Sequence, residues 1–301
     1  MLLDISIYVI SFIVFLFIPP LLDGLERKIR ARLHSRVGPP TIFQTWYDIR
    51  KLLAKEQVAT DTFVNTFFIV SILFTTSMLT IPLMPFGSIG IFSNSRNSLI
   101  LFIILLASSQ LLWVALSLSP GNPFSTIGVY REALLEMVNE LFLILTGFGL
   151  MVYIGGTSFR DLTNINYSAI YILFIVLLIV ISYVSSGRVP FDLAEAEPEL
   201  ASGVLIEFSG PILGIVLYTN FLKRAILCGF IANLILLPLK SLVNDIVLAA
   251  LFYLLLFFIW LIYAIVSILL ARSRIDLAPR TMFVVYLLFY SIIVVLWLIG
   301  I

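Results

Sequence analysis

Five carboxylates, Asp192, Glu195, Glu197, Glu199 and Glu207, fall within sixteen residues of a chain that is otherwise largely apolar. They belong to the run Arg188-Val189-Pro190-Phe191-Asp192-Leu193-Ala194-Glu195-Ala196-Glu197-Pro198-Glu199-Leu200, which continues through Gly203 to Glu207-Phe208-Ser209-Gly210-Pro211. Like charges this close raise one another's pKa, so such a cluster could hold protons near neutral pH and pass them on. Glu195, Glu197 and Glu199 share one side of the chain if it is extended and fan out if it is helical. A solvated loop with ordinary carboxylates is the plain alternative. Glu207 argues against it, because it already lies inside the next apolar segment.

A second set is Glu132, Glu136 and Glu140, spaced by four, with Arg131 and Asn139 among them. That spacing lines one face of a helix. Glu140 runs directly into Leu141-Phe142-Leu143-Ile144-Leu145. Glu132 is expected to snorkel to the interface. For an ionisable group deeper in the membrane, a place on an ion path is the default hypothesis. A third set is Lys223-Arg224, inside another apolar stretch. A buried lysine can give up its proton near neutral pH, because burial disfavours its charged form. The alternative is that one of the two snorkels. The fourth set is cationic: Arg27, Lys28, Arg30, Arg32 and Arg36, ending in Val37-Gly38-Pro39-Pro40. Nucleic-acid binding is excluded as a reading, for want of aromatic interleaving and net charge. No catalytic residue and no metal ligand is assigned.

These groups must be held by membrane helices. Of 301 residues, 61% are apolar and 12% charged, and the net charge is +1; the mean hydropathy is +1.14. A soluble domain carries about twice that charge. One cysteine (Cys228) and one histidine (His34) give no disulfide framework and no zinc or Fe–S ligand set within this chain. Nothing resembles a cleavable signal peptide, a Walker motif or an internal repeat. The expected fold is all-α and polytopic, a single membrane domain over 1–301.

Spans of about 20 apolar residues are expected near 2–22, 62–84, 98–118, 130–155, 167–186, 203–238, 244–270 and 280–300. The sixth is too long for a simple span: either one tilted helix or two short ones broken at Lys223-Arg224. The positive-inside rule favours one helix. With eight spans the loops 23–61, 187–202 and 271–280, which carry most of the cations, share the cytoplasmic side, and both ends of the chain lie opposite. Within 41–56, Ile42, Trp46, Ile49 and Leu53 form the apolar side of an amphipathic helix too polar to span. It could be a surface anchor or a platform for a peripheral subunit.

At these residues the sequence resembles a known family. It is similar to the proximal membrane subunit of respiratory complex I (subunit 1) and to its relatives in group 4 membrane-bound [NiFe]-hydrogenases. The resemblance lies in Glu26-Arg27-Lys28, Arg36-Val37-Gly38-Pro39, Gln44, Asp48, Lys51-Leu52, Arg131 with Glu140, and the acidic motif from Arg188 to Gly203 with Glu207. Only Pro40-Thr41-Ile42-Phe43 separates Pro39 from Gln44, and Leu217 precedes Tyr218-Thr219-Asn220. Both features look more like the hydrogenase-type branch, with its sulfur-reducing relatives, than like quinone-linked members.

The resemblance implies an anchor and ion-coupling subunit of an energy-converting oxidoreductase, linking ferredoxin-driven electron transfer to H⁺ or Na⁺ translocation. Its alternative is the quinone-binding subunit of a quinone-reducing complex I. Carried over by position, Glu136, Glu140, Asp192, Glu195, Glu197, Glu199, Glu207 and Lys223 would couple ions. Arg27, Lys28, Arg32, Arg36, Asp48 and Arg188 would face a peripheral arm. The partners implied are [NiFe]-hydrogenase-like large and small subunits, an Fe–S subunit and antiporter-like membrane subunits. Fe–S clusters, and a NiFe centre in the hydrogenase case, would belong to those partners, with no cofactor bound by this chain. The implied location is a prokaryotic plasma membrane.

Overall fold

A computed structural model describes residues 2–57, 65–93, 95–119, 122–193 and 203–299. Lipid cannot satisfy backbone N–H and C=O groups, so long apolar stretches must close their own hydrogen bonds as helices. The structure shows α1 (Leu2–Leu33), α2 (Gln44–Leu53), α3 (Thr66–Leu83), α4 (Ser98–Leu118), α5 (Pro123–Ile154), α6 (Ala169–Ser185), α7 (Gly210–Leu236), α8 (Asp245–Leu269) and α9 (Leu277–Ile299). Seven of these are long and apolar enough to cross a membrane, and α6, with 17 residues, is a shorter apolar helix. Together they match the eight expected segments.

Contacts between loops sort the two ends of the bundle. At one end Ser273 donates to the Pro190 carbonyl through both its backbone N–H (3.1 Å) and its hydroxyl (2.7 Å). Arg272 pairs with Asp192 at 3.1 Å, and Asn122 donates to Glu207. At the other end the Leu99 N–H donates to Thr157 O at 3.1 Å, Ser88 donates to Asp245, and Tyr167 donates to the Ile235 carbonyl. The cationic and acidic loops therefore share one end, as the eight-helix plan requires.

The sixth segment is one helix, unbroken at Lys223-Arg224 as the positive-inside rule favours, but its start needs correction. A 3-10 turn covers Gly203–Glu207, and α7 begins only at Gly210. Gly210 has φ +55°, and a Cβ there would stand 2.8 Å from the Glu56 carbonyl. Only glycine fits that close, left-handed approach, and Pro211 then starts the helix at a position that needs no N–H. Similarly α5 begins at Pro123 rather than near 130.

The amphipathic segment is the helix α2, packed on α1 and α7 with Thr45 and Ile49 buried. Thr45 donates to Asp23 at 2.9 Å, and Trp46 Nε1 to the Phe17 carbonyl at 3.2 Å. Arg27 meets Asp48 at 2.8 Å. At Gly24 a Cβ would fall 2.0 Å from the Ile42 carbonyl, so the backbone before α2 rests directly on α1.

Candidate functional site: carboxylates at the centre of the bundle

The α5 row is built as its spacing requires, and it runs inward from a polar cavity. Asp192 from the acidic loop, Glu132 from α5, Gln110 and Trp113 from α4, and Lys223 and Arg224 from α7 are among the residues that line this cavity. It has about 50 Å³ of room. A water needs roughly 10–15 Å³ on this measure, so the cavity has room for a few waters. Glu132 is not at the interface as expected. Because α5 starts seven residues earlier than the hydropathy pattern suggests, Glu132 lies inside the bundle, where Trp113 Nε1 donates to its Oε2 at 3.2 Å.

One turn deeper, Lys223 Nζ stands 3.9 Å from Glu136 Oε1, with side chains 16% and 7% exposed. Both residues lie about 20 Å along their helices from the end that carries the acidic loop. Lys223 thus finds a partner in the membrane instead of snorkelling. Arg224 turns back and donates through Nε to the Ser186 carbonyl at 2.8 Å. The Lys223–Glu136 contact is loose: Glu136 Oε2 and both oxygens of Glu140, all buried, make no hydrogen bond among the described residues. Buried polar atoms are nearly always paired, so each exception calls for a reason. Carboxylate oxygens left open at bundle depth are what a transient proton or cation needs. The cavity does not reach Glu136 or Glu140; the carboxylate row extends beyond it.

A second buried cluster fixes the root of the acidic loop. Arg188 was expected on the arm-facing surface. It is instead 4% exposed and pairs with Glu26 at 2.7 Å. Glu26 also accepts from Trp260 Nε1 at 3.0 Å and from Arg30 at 3.1 Å. Arg188 NH1 donates to the Trp260 carbonyl at 3.2 Å, and its guanidinium lies 4.9 Å from the Trp260 ring centroid. Burial lowers the Arg188 pKa from its ordinary value, and the Glu26 carboxylate opposes that shift. Glu26 thus joins α1, the acidic loop and α8, with one oxygen toward the half-exposed Arg30.

The remaining expected residues are dispersed. Glu207 ends the 3-10 turn and holds it to the start of α5 through Asn122; it does not line the cavity. Glu195, Glu197 and Glu199 lie outside the described residues. Arg27 and Arg32 are exposed and Lys28 is half-buried on the last turns of α1, and Arg36 is exposed just beyond its end. Sequence reasoning assigned no role to Glu26, Gln110, Trp113 and Trp260. The available signal was weak: isolated polar or indole groups inside apolar helices.

The described residues form a helical membrane bundle with carboxylates in its interior, the architecture of a membrane-embedded subunit. Comparison with known proteins makes this specific. A protein family described as NADH dehydrogenase matches residues 5–299, and the chain belongs to this family, that of the proximal membrane subunit of complex I. It is 32% identical over 224 residues to formate hydrogenlyase subunit 4 of Escherichia coli K12, covering 72% of this chain and 73% of the relative. It is 32% identical over 231 residues to hydrogenase-4 component C of the same strain, covering 74% and 73%. An NADH-quinone oxidoreductase subunit of Carboxydothermus hydrogenoformans is 29% identical over 237 residues, covering 73% and 67%. Among solved structures, a chain of the membrane-bound sulfane sulfur reductase, an archaeal respiratory membrane complex, superposes with a TM-score of 0.84. That match is 23% identical and covers 97% of this chain and 99% of the other. It supports the fold. The chain is a multi-pass membrane protein.

Proposed function

We propose that this chain is the anchor and ion-coupling subunit of a membrane-bound-hydrogenase-type complex, in which electron transfer in a peripheral arm drives H⁺ or Na⁺ movement. The observation that carries this reading is the α5 row: Glu132 at a cavity shared with Asp192, then Glu136 with Lys223, then Glu140 with open oxygens. Moving a charge along such a row costs least when each site is partly compensated and none is locked. The loose Lys223–Glu136 contact fits that need. A change of charge in the acidic loop would reach the row through Asp192, across the cavity from Glu132 and Lys223.

The hydrogenase-type assignment is favoured by the two Escherichia coli relatives, which are named as hydrogenase and hydrogenlyase subunits. The peripheral arm would dock on the cationic extension of α1 and the exposed side of α2, through Arg27, Lys28, Arg32, Arg36 and Asp48. Fe–S clusters, with NiFe in a hydrogenase, would reside in the arm's large, small and Fe–S subunits, and antiporter-like subunits would flank the bundle. The test is Glu140→Gln in inverted membrane vesicles. Ion uptake should fall at least tenfold while donor oxidation by the solubilised complex stays within twofold. Undiminished uptake would overturn the assignment.

A further inference from the structure

The deep end of the α5 row is braced from a helix outside the proposed route. Tyr286 on α9 is fully buried, and its hydroxyl donates to Asn139 Oδ1 at 2.7 Å. Asn139, also fully buried, is one turn from Glu136 on α5. An amide has one acceptor end and one donor end. With Oδ1 engaged by Tyr286, Nδ2 must face the other way. Nδ2 and the Glu136 Oε2 atom three residues before it are both buried and both without a hydrogen-bond partner among the described residues. The Tyr286 ring packs on Phe142 of α5, centroids 5.2 Å apart, so the ring and the hydroxyl have separable roles.

We propose that Tyr286 is a positioning residue for ion transfer: its hydroxyl holds the Asn139 amide donor toward Glu136. Glu136 thereby has two donors in reach, an ammonium on α7 and an amide on α5. A carboxylate losing its Lys223 contact during transfer meets the amide instead of bare apolar surface. Without the hydroxyl the amide is free to rotate and present Oδ1, an acceptor that repels the carboxylate. Other ionisable groups around Glu136 are Glu132 and Glu140 on its own helix; Asp192 acts on Glu132 across the cavity. This inference rests on the ion-coupling reading of the row.

Tyr286→Phe removes the hydroxyl and keeps the ring against Phe142. The experiment measures the pH profile of ion uptake in inverted vesicles holding the intact complex, driven by its low-potential electron donor, with Glu140→Gln run alongside. Losing one hydrogen bond to an oriented group should displace the profile by about half a pH unit toward alkaline, with solubilised donor oxidation unchanged. Asn139→Leu should displace it similarly. The double variant should move it no further than either single change, since the two groups act as one unit. An unmoved profile in both single variants, or additive displacements in the double, would overturn the positioning role while leaving the row intact. Full uptake in Glu140→Gln would instead remove the reading beneath it. If Tyr286→Phe fails to assemble, the Asn139→Leu profile decides alone.

Discussion

The Glu26–Arg188 pair gives an asymmetric prediction for stability. Removing Arg188 as Arg188→Met leaves Glu26 buried, but Trp260 Nε1 at 3.0 Å and Arg30 at 3.1 Å still donate to it. Arg30 is 47% exposed, so solvent screens its direct pair with Glu26 and its share is at most about 1 kcal/mol. Removing Glu26 as Glu26→Gln leaves Arg188 buried with the Trp260 carbonyl and two aromatic faces, and no carboxylate paired with it among the described residues. Breaking a buried pair costs about 3–5 kcal/mol. Glu26→Gln should lie at the top of that range and Arg188→Met nearer 2–3 kcal/mol. The double variant should cost less than the sum, because neither charge is then stranded. At about 2 °C per kcal/mol for a large domain, the apparent Tm of the detergent-solubilised complex should fall by roughly 8–10 °C, 4–6 °C and an intermediate amount. Equal losses in the singles with strict additivity in the double would refute the shared-carboxylate argument.

Other consequences follow from the same geometry. Gly24→Val should push the backbone before α2 off α1, where a Cβ falls 2.0 Å from the Ile42 carbonyl; protease cleavage between α1 and α2 should rise severalfold in vesicles. Trp113→Phe removes the donor to Glu132 while keeping most of the ring; uptake should fall about threefold to tenfold, consistent with the loss of one ordinary hydrogen bond, with no loss of assembly. Asp192→Asn breaks an ion pair whose arginine is 40% exposed, so the apparent Tm should move by no more than about 2 °C.

The helices and the α5 row were legible in the sequence because both are local. Apolar length marks a span, and a spacing of four puts Glu132, Glu136 and Glu140 on one face whatever surrounds them. The depth of Glu132 was not legible. Hydropathy places a helix end where apolar character fades, whereas α5 extends to Pro123, so a residue read as interfacial lies inside the bundle. The Arg188 site was hidden for another reason. Glu26 and Trp260 lie 162 and 72 residues from it in the chain, and a cation in an acidic loop reads as exposed until its partner is known. The break before α7 could have been anticipated from Gly210-Pro211, but the carbonyl of Glu56 that makes glycine necessary comes from a distant loop.

If ions pass along the α5 carboxylates and electrons do not, the two flows can be separated at Glu136. The decisive quantity is the number of ions taken up per electron in vesicles carrying Glu136→Gln, against the unmodified complex. A ratio near zero is expected, with donor oxidation retained once the membrane is made leaky. An unchanged ratio would contradict an ion route through this row.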